Sequence, residues 1–380
     1  MTGSSNINIQ EFTPFASPLF WDSAESAASS HVEMYAVLPS SSQQRWLVPA
    51  GNRALALSGL DVYQPYGVLG GAIKRALAVS IRCGLNLYAR KTLGVSAADA
   101  GALRRLIENV TGERDCGFAL LIGNFGRYRK ATIQVMTPAG DVLGYLKVPL
   151  TSEADERVRN EGWAVAQVAQ IPGLKGRVPE VLFAGEWNGR YVLLQEPLRG
   201  RPSRPVFEPA HDAFLGSLAR FGRVDRPAES LIGEVAGRTR NLSILFAPDD
   251  FDAVLRVARG WLGTSTVECG YTHGDFAPWN MRVSHDGLQV FDWERAGRDL
   301  PLAWDYFHFI TQAEILLNIR TQQRRRKLLQ RQGTPAERAT YLLYLLQSAA
   351  TLVDEGVPVS DRAVTTRRGW IRELLKDSVS

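Results

Sequence analysis

Three side chains of types that do chemistry crowd into the stretch YTHGDFAPWN, residues 271–280: His273, Asp275 and Asn280. Two carboxylates, Asp292 and Glu294, follow in FDWE. A carboxylate such as Asp275 can accept a hydrogen bond or a proton. An amide oxygen and a carboxylate oxygen, here Asn280 and Asp292, are hard ligands of the kind Mg²⁺ takes. His273 offers two ring nitrogens with which to tie a loop together. Each residue also has an ordinary role open to it. Asp275 could cap a helix, Asn280 could sit in a turn, and Asp292 and Glu294 could be solvated charges at a strand end. Order and spacing together favour chemistry, and they ask which elements hold these groups in place.

Downstream of Asn280, MRVSHDGLQVF predicts two short strands turned at Asp286-Gly287, a hairpin ending at Asp292. Upstream, residues 116–197 predict a β-β-β-α-β-β order. Pro138-Ala139-Gly140-Asp141 divides one pair of alternating strands and Asn188-Gly189 divides another. Between them TSEADERVRNEGWAVAQVAQI predicts a helix with a Ser/Thr cap and an acidic first turn. After residue 198 the chain is mainly helical. Residues 45–110 predict the short strand RWLVP and then two helices, the second capped by Ser96 and stopped by Gly112. The first 44 residues, rich in Ser, Ala, Asn and Gln, predict irregular structure at the start.

A small β-rich lobe with one helix, followed by a helical lobe carrying this loop and hairpin, resembles the aminoglycoside phosphotransferase and choline kinase family of protein-kinase-like small-molecule kinases. The motifs are HGDFAPWN and DWE, and the resemblance covers roughly residues 116–320. It implies an α+β, two-lobed fold: an N-terminal extension over 1–112, an N-lobe over 113–197 and a C-lobe over 198–380. It implies ATP and Mg²⁺ as cofactors, with Asp275 acting on the acceptor hydroxyl, His273 organising the loop, and Asn280 and Asp292 holding the metal. Lys147, in GYLKV, stands where the family places a lysine on the nucleotide phosphates, and Glu161 on the next helix is its expected partner. The segment LLQEPL looks like the interlobe hinge, with Gln195, Glu196 and Leu198 beside adenine. Gly123 and Gly126 in IGNFGRYRKA mark the phosphate loop, although the run is not GxGxxG and an ordinary turn fits it nearly as well. Asp305, in GRDLPLAWDYFHF, is expected to accept hydrogen bonds from the catalytic loop.

Composition bounds the acceptor. The net charge is +5, from 44 basic and 39 acidic residues, too mild for a nucleic-acid signature. From residue 199 onward 25 basic residues face 22 acidic ones, so no acidic excess awaits a polycation. The lean is toward a neutral or anionic metabolite with a hydroxyl. A protein acceptor is disfavoured because the long activation segment of protein kinases is missing. The rival is a pseudokinase: a nucleotide-binding or scaffold module without turnover. Three scattered cysteines and a start lacking a basic and an apolar signal region predict a reducing cytoplasm. No segment reads as transmembrane. YGVLGGAIKRALAVSIRCGLNLYAR predicts an amphipathic helix packed on the protein, with a membrane-surface helix as the minority alternative. RTQQRRRKLLQRQ predicts a solvated helix face, with contact to anionic lipid or nucleic acid as the lesser alternative.

Overall fold

A computed structural model of the chain describes residues 32–38, 45–65, 68–85, 92–123, 126–239, 248–317 and 333–376. Of residues 1–44, expected to be irregular, 1–31 and 39–44 lie outside the described residues, as does the basic run 320–332, while Val32–Leu38 is a strand. Contacts divide the chain into two compact units. The first comprises Met1–Gly162 with Glu180–Pro197, the second Trp163–Pro179 with Leu198–Ser380.

The first unit is built on one eight-stranded antiparallel sheet. In chain order its elements are β1 (Val32–Leu38), β2 (Arg45–Pro49), α1 (Arg53–Gly59), α2 (Val68–Arg82), β3 (Thr92–Ser96) and α3 (Ala97–Thr111). Then follow β4 (Gly117–Ile122), β5 (Lys130–Met136), β6 (Val142–Pro149), α4 (Ser152–Val168, of which the residues to Gly162 belong to this unit), β7 (Val181–Trp187) and β8 (Arg190–Gln195). The strand order is β3-β1-β2-β4-β5-β6-β8-β7. Turn chemistry sets the hairpins. Asn188 (φ 50°) and Gly189 (φ 74°) are both left-handed, as a tight two-residue loop requires. Period-two alternation then sends Tyr35, Leu47, Phe118, Ile133 and Leu146 to one face, under Leu103 and Ile107 of α3. Ala36, Trp46, Val48 and Ala119 go to the other, under Ala56 of α1 and Ile81 of α2.

The sheet does not stop at residue 112. β2 pairs with β4, so strands before residue 112 and strands after it form one surface. The extension also holds more elements than its sequence suggests. VEMYAVL forms β1 and TLGVS forms β3, paired with each other across almost sixty residues of chain, a partnership no local pattern signals.

The second unit carries β9 (Arg201–Pro202), α5 (Pro209–Ala219), β10 (Val224–Pro227), α6 (Ala228–Thr239), α7 (Pro248–Leu262) and β11 (Thr266–Thr272). Next come β12 (Met281–Ser284), β13 (Gly287–Val290), β14 (Gly297–Pro301), α8 (Ala303–Leu317), α9 (Pro335–Asp354) and α10 (Arg362–Lys376). Two three-stranded sheets, β10-β11-β14 and β13-β12-β9, bracket the residues 273–280. α9 starts on a capping box in which Thr334 and Glu337 satisfy each other's backbone N–H groups. It packs against α6, α7, α8 and α10, with Tyr341, Leu342, Leu345 and Leu346 buried.

Candidate functional site

In the second unit β11 delivers His273, Gly274 and Asp275 to the end of the β10-β11-β14 sheet. The loop is held by its backbone. Asp305, buried in the first turn of α8, accepts from the His273 N–H at 2.7 Å and from the Gly274 N–H at 2.9 Å, one bond on each carboxylate oxygen. Gly274 has φ 77°, and a Cβ there would fall 2.2 Å from the Arg295 carbonyl oxygen, so only glycine fits. His273 is fully buried. Its Nε2 lies 3.0 Å from the Phe291 carbonyl and its Nδ1 accepts from the Asp275 N–H at 3.1 Å. That pattern specifies a neutral ring protonated on Nε2. Burial pushes its pKa down to about 4.

After Asp275 the chain makes a short turn over Pro278–Asn280 and enters the β12–β13 hairpin. The Phe291 N–H donates to the Asn280 carbonyl at 3.0 Å, which closes the hairpin and sets Asp292 just beyond. Asp292 is left-handed, φ 68° and ψ 56°, a conformation that aspartate tolerates better than most residues. Asn280 uses its Nδ2 on Asp275, donating to the carbonyl and to Oδ2, both at 3.0 Å. Its Oδ1 is therefore the end directed away from that carboxylate.

The other oxygen of Asp275, Oδ1, meets His308 Nε2 at 2.8 Å. His308 Nδ1 in turn lies 3.2 Å from the Tyr344 hydroxyl of α9. With Asp275 ionised, a neutral His308 donates from Nε2 and accepts the Tyr344 O–H. Burial lowers the His308 pKa, which agrees with a neutral ring. Burial alone would raise Asp275, but the His308 hydrogen bond and the Arg295 charge outweigh it and hold the carboxyl below its usual range. Arg295 is itself anchored by Glu355 at 2.6 Å. Asp305 goes the other way. Burial pushes it up to about 7 against the pull of its two N–H donors, with the Asp275 charge adding to the rise. His308, Tyr344, Arg295 and Glu355 were not singled out in the sequence. One signal was there: Asp305 and His308 are three apart on one helix and so share a face.

In the first unit Lys147, on β6, and Glu161, on α4, are both buried, and Lys147 Nζ lies 2.5 and 2.6 Å from the two carboxylate oxygens. Thr151 caps α4 by accepting from the Ala154 N–H, and the acidic first turn suits the helix dipole. Gln195 ends β8 opposite Tyr145 of β6, and its buried Nε2 has no hydrogen-bond partner among the described residues. The Glu196 N–H is already engaged by the Glu180 carbonyl at 2.9 Å, and Pro197 has none. Leu198 belongs to the second unit. Gly123 closes the β4–β5 hairpin with its N–H on the Lys130 carbonyl at 2.9 Å, and Gly126 lies within the turn. The two residues between Gly123 and Gly126 are outside the described set. Arg127 is paired with Glu153 at 3.2 Å, which ties this turn to the start of α4.

The structure thus assembles two groups, Lys147 with Glu161 in one unit and His273, Asp275, Asn280 and Asp292 in the other. Comparison with solved structures bears on the fold. An apo thermostable mutant of aminoglycoside phosphotransferase APH(4)-Ia is 15% identical with a TM-score of 0.52, covering 72% of this chain and 98% of that one. A ternary complex of that enzyme with ADP and hygromycin B is likewise 15% identical at 0.52, covering 73% and 99%. A complex with AMP-PNP and hygromycin B is 15% identical at 0.51, covering 72% and 98%. These show the α+β, protein-kinase-like fold. No curated protein matches in sequence. The family model described as "Phosphotransferase enzyme family", APH, matches residues 127–341, more than half of the chain, and it takes in every charged residue of both groups. This chain belongs to that family, the small-molecule kinases that phosphorylate hydroxyl groups.

Proposed function

We propose that the chain transfers the terminal phosphoryl group of ATP, with Mg²⁺, to a hydroxyl of a small molecule such as a sugar, an amino alcohol or a related metabolite. The observation that carries this reading is the double hold on Asp275. Asn280 fixes one carboxylate oxygen and His308 the other, on a loop whose backbone Asp305 ties down. A carboxylate so held is an oriented acceptor for one hydroxyl, which is most of what phosphoryl transfer asks of a protein. Its depressed pKa makes it a weak base. Asp275 therefore orients the hydroxyl first, and takes its proton late, as the acceptor oxygen bonds to phosphorus and the bond to ADP breaks.

The residues present fit a magnesium ion. Asn280 turns its amide nitrogen to Asp275, which leaves its oxygen for a hard cation, and Asp292 adds a carboxylate. Bound there, Mg²⁺ supplies charge neutralisation along the phosphates. Lys147, held in place by Glu161, binds phosphate oxygens. The unpartnered Gln195 Nε2 is a donor suited to a purine, and Leu198 supplies the hinge N–H, since Glu196 and Pro197 have none to give. Two comparisons support the nucleotide: the APH(4)-Ia complexes contain ADP or AMP-PNP together with hygromycin B. The test is ADP release from ATP and Mg²⁺ across sugars, amino alcohols and glycan precursors, repeated with GTP and with chelator. Acceptor-dependent, chelator-sensitive release is expected. Tight nucleotide binding with no turnover on any acceptor would instead make the chain a pseudokinase.

A further inference from the structure

α2 buries only one of its faces. Leu77, Ala78 and Ile81 pack against the Trp46 and Val48 side of the sheet. On the opposite face Leu69, Ala72, Ile73, Ala76 and Val79 follow one another at three- and four-residue spacing and form a single stripe. All five are exposed: Leu69 is 75%, Val79 55% and Ile73 42% accessible, and Leu85, just past the helix, is 52% accessible. Four of the ten large exposed hydrophobics among the described residues therefore sit on one helix and its exit. Such clustering marks an interaction surface, whereas single exposed apolar residues do not.

Charge identifies the occupant. Arg75 and Arg82 are seven residues apart, so they stand in line along one flank of the stripe, and both are exposed. Lys74, on the inner side, is paired with Asp61 at 2.9 Å. Between Asp61 and Asp99 the chain has five basic residues and no acidic one. Apolar side chains bordered by arginines suit an anionic lipid surface: the stripe enters the headgroup boundary while the guanidinium groups stay at phosphate level. A second copy matches less well. A two-fold pairing of α2 would set arginines against arginines with no carboxylate on either helix to offset them. Among the described residues no helix is long and apolar enough to cross a membrane, so the contact is peripheral.

We propose that the outer face of α2 docks the protein on anionic membrane surfaces. The inference is independent of the phosphotransferase reading. It is tested by sedimenting the full chain with phosphatidylcholine vesicles made with and without phosphatidylglycerol. Binding to the anionic vesicles alone, weakened by salt, is expected. Arg75→Ala and Arg82→Ala should each lower partitioning about fivefold, the usual worth of one basic residue at such a surface. Val79→Asp should abolish binding while leaving the thermal midpoint unchanged. No sedimentation, or binding indifferent to phosphatidylglycerol and to both arginines, would overturn the proposal. So would a concentration-dependent oligomer, seen by ultracentrifugation, that Val79→Asp dissociates, because the face would then belong to a second copy.

Discussion

Lys147–Glu161 and His308–Asp275 are both buried couples of a nitrogen base and a carboxylate, and they are built in different ways. In the first, an ammonium and a carboxylate meet twice over, at 2.5 and 2.6 Å. In the second, a neutral imidazole meets a carboxylate whose other oxygen is taken by Asn280, and the imidazole itself leans on Tyr344 of another helix. The first couple is local and severe: take away one partner and the other, still in the interior, loses both of its short bonds to it. The second is distributed, so the loss of one member leaves a carboxylate that still has partners. One is held by charge and the other by position, and the two should fail in different ways.

The largest effect is expected where position matters most. Asp292→Ala removes the carboxylate proposed to hold the metal beside Asp275 and should lower turnover by more than about 10³-fold, while melting shifts little. Turnover retained in that variant would remove Asp292 from the metal. Lys147→Ala tests the other couple. Leaving Glu161 buried without its lysine should destabilise the fold by about 3–5 kcal/mol in urea titrations. The double variant Lys147→Met with Glu161→Leu should regain most of that stability but none of the turnover. Equal stability of the single and double variants would show that the pair is not held by charge.

Smaller effects separate the members of the second couple. His308→Phe should reduce turnover about tenfold, with the KM for nucleotide unchanged, the scale of one lost hydrogen bond to a charged group. His308→Gln, which restores an N–H donor, should recover part of the loss, and equal rates for Phe and Gln would show that His308 does not position Asp275.

The remaining signal is in pH. His273 has a folded pKa of about 4 against an ordinary 6.5, so between these values the unfolded chain binds the extra proton. Stability must then fall as pH falls through that window, by at most about 3 kcal/mol. Asp305 opposes it: its folded pKa of about 7 lies above the ordinary 3.8, so its contribution falls as pH rises over that range. The difference between wild type and His273→Asn, followed by urea midpoints from acid to neutral pH, isolates the histidine. Parallel profiles would refute the assignment.

What could be read beforehand followed from local rules. The tight turns at Pro138–Asp141 and Asn188-Gly189, the strand RWLVP and the helix after Thr151 depend on neighbours in sequence, and they lie where expected. Lys147 and Glu161 could be matched because one turn of chain joins their two elements. Contacts that needed distant partners were not legible. The pairing of β1 with β3 is one, and the engagement of the Glu196 N–H by Glu180 is another. Tyr344 and Glu355 reach the Asp275 network from residues far down the chain, through helix packing that no motif records. His308 was within reach, because its spacing from Asp305 already placed it on the face that meets the loop.

β4 carries a consequence for how the chain could be shortened. Phe118 and Leu120 are buried on one side of it and Ala119 on the other, and it is hydrogen-bonded to β2 as well as β5. Its near-unbroken apolar run GFALLI is what a strand covered on both faces and both margins looks like. A version trimmed to begin at residue 113 would leave that strand with one bare margin, a row of open N–H and C=O groups beside oily side chains. Such a fragment would recruit stray strands and precipitate, whatever became of its chemistry. The leading third of the chain thus doubles as a solubility device, shielding a strand that could not face water alone.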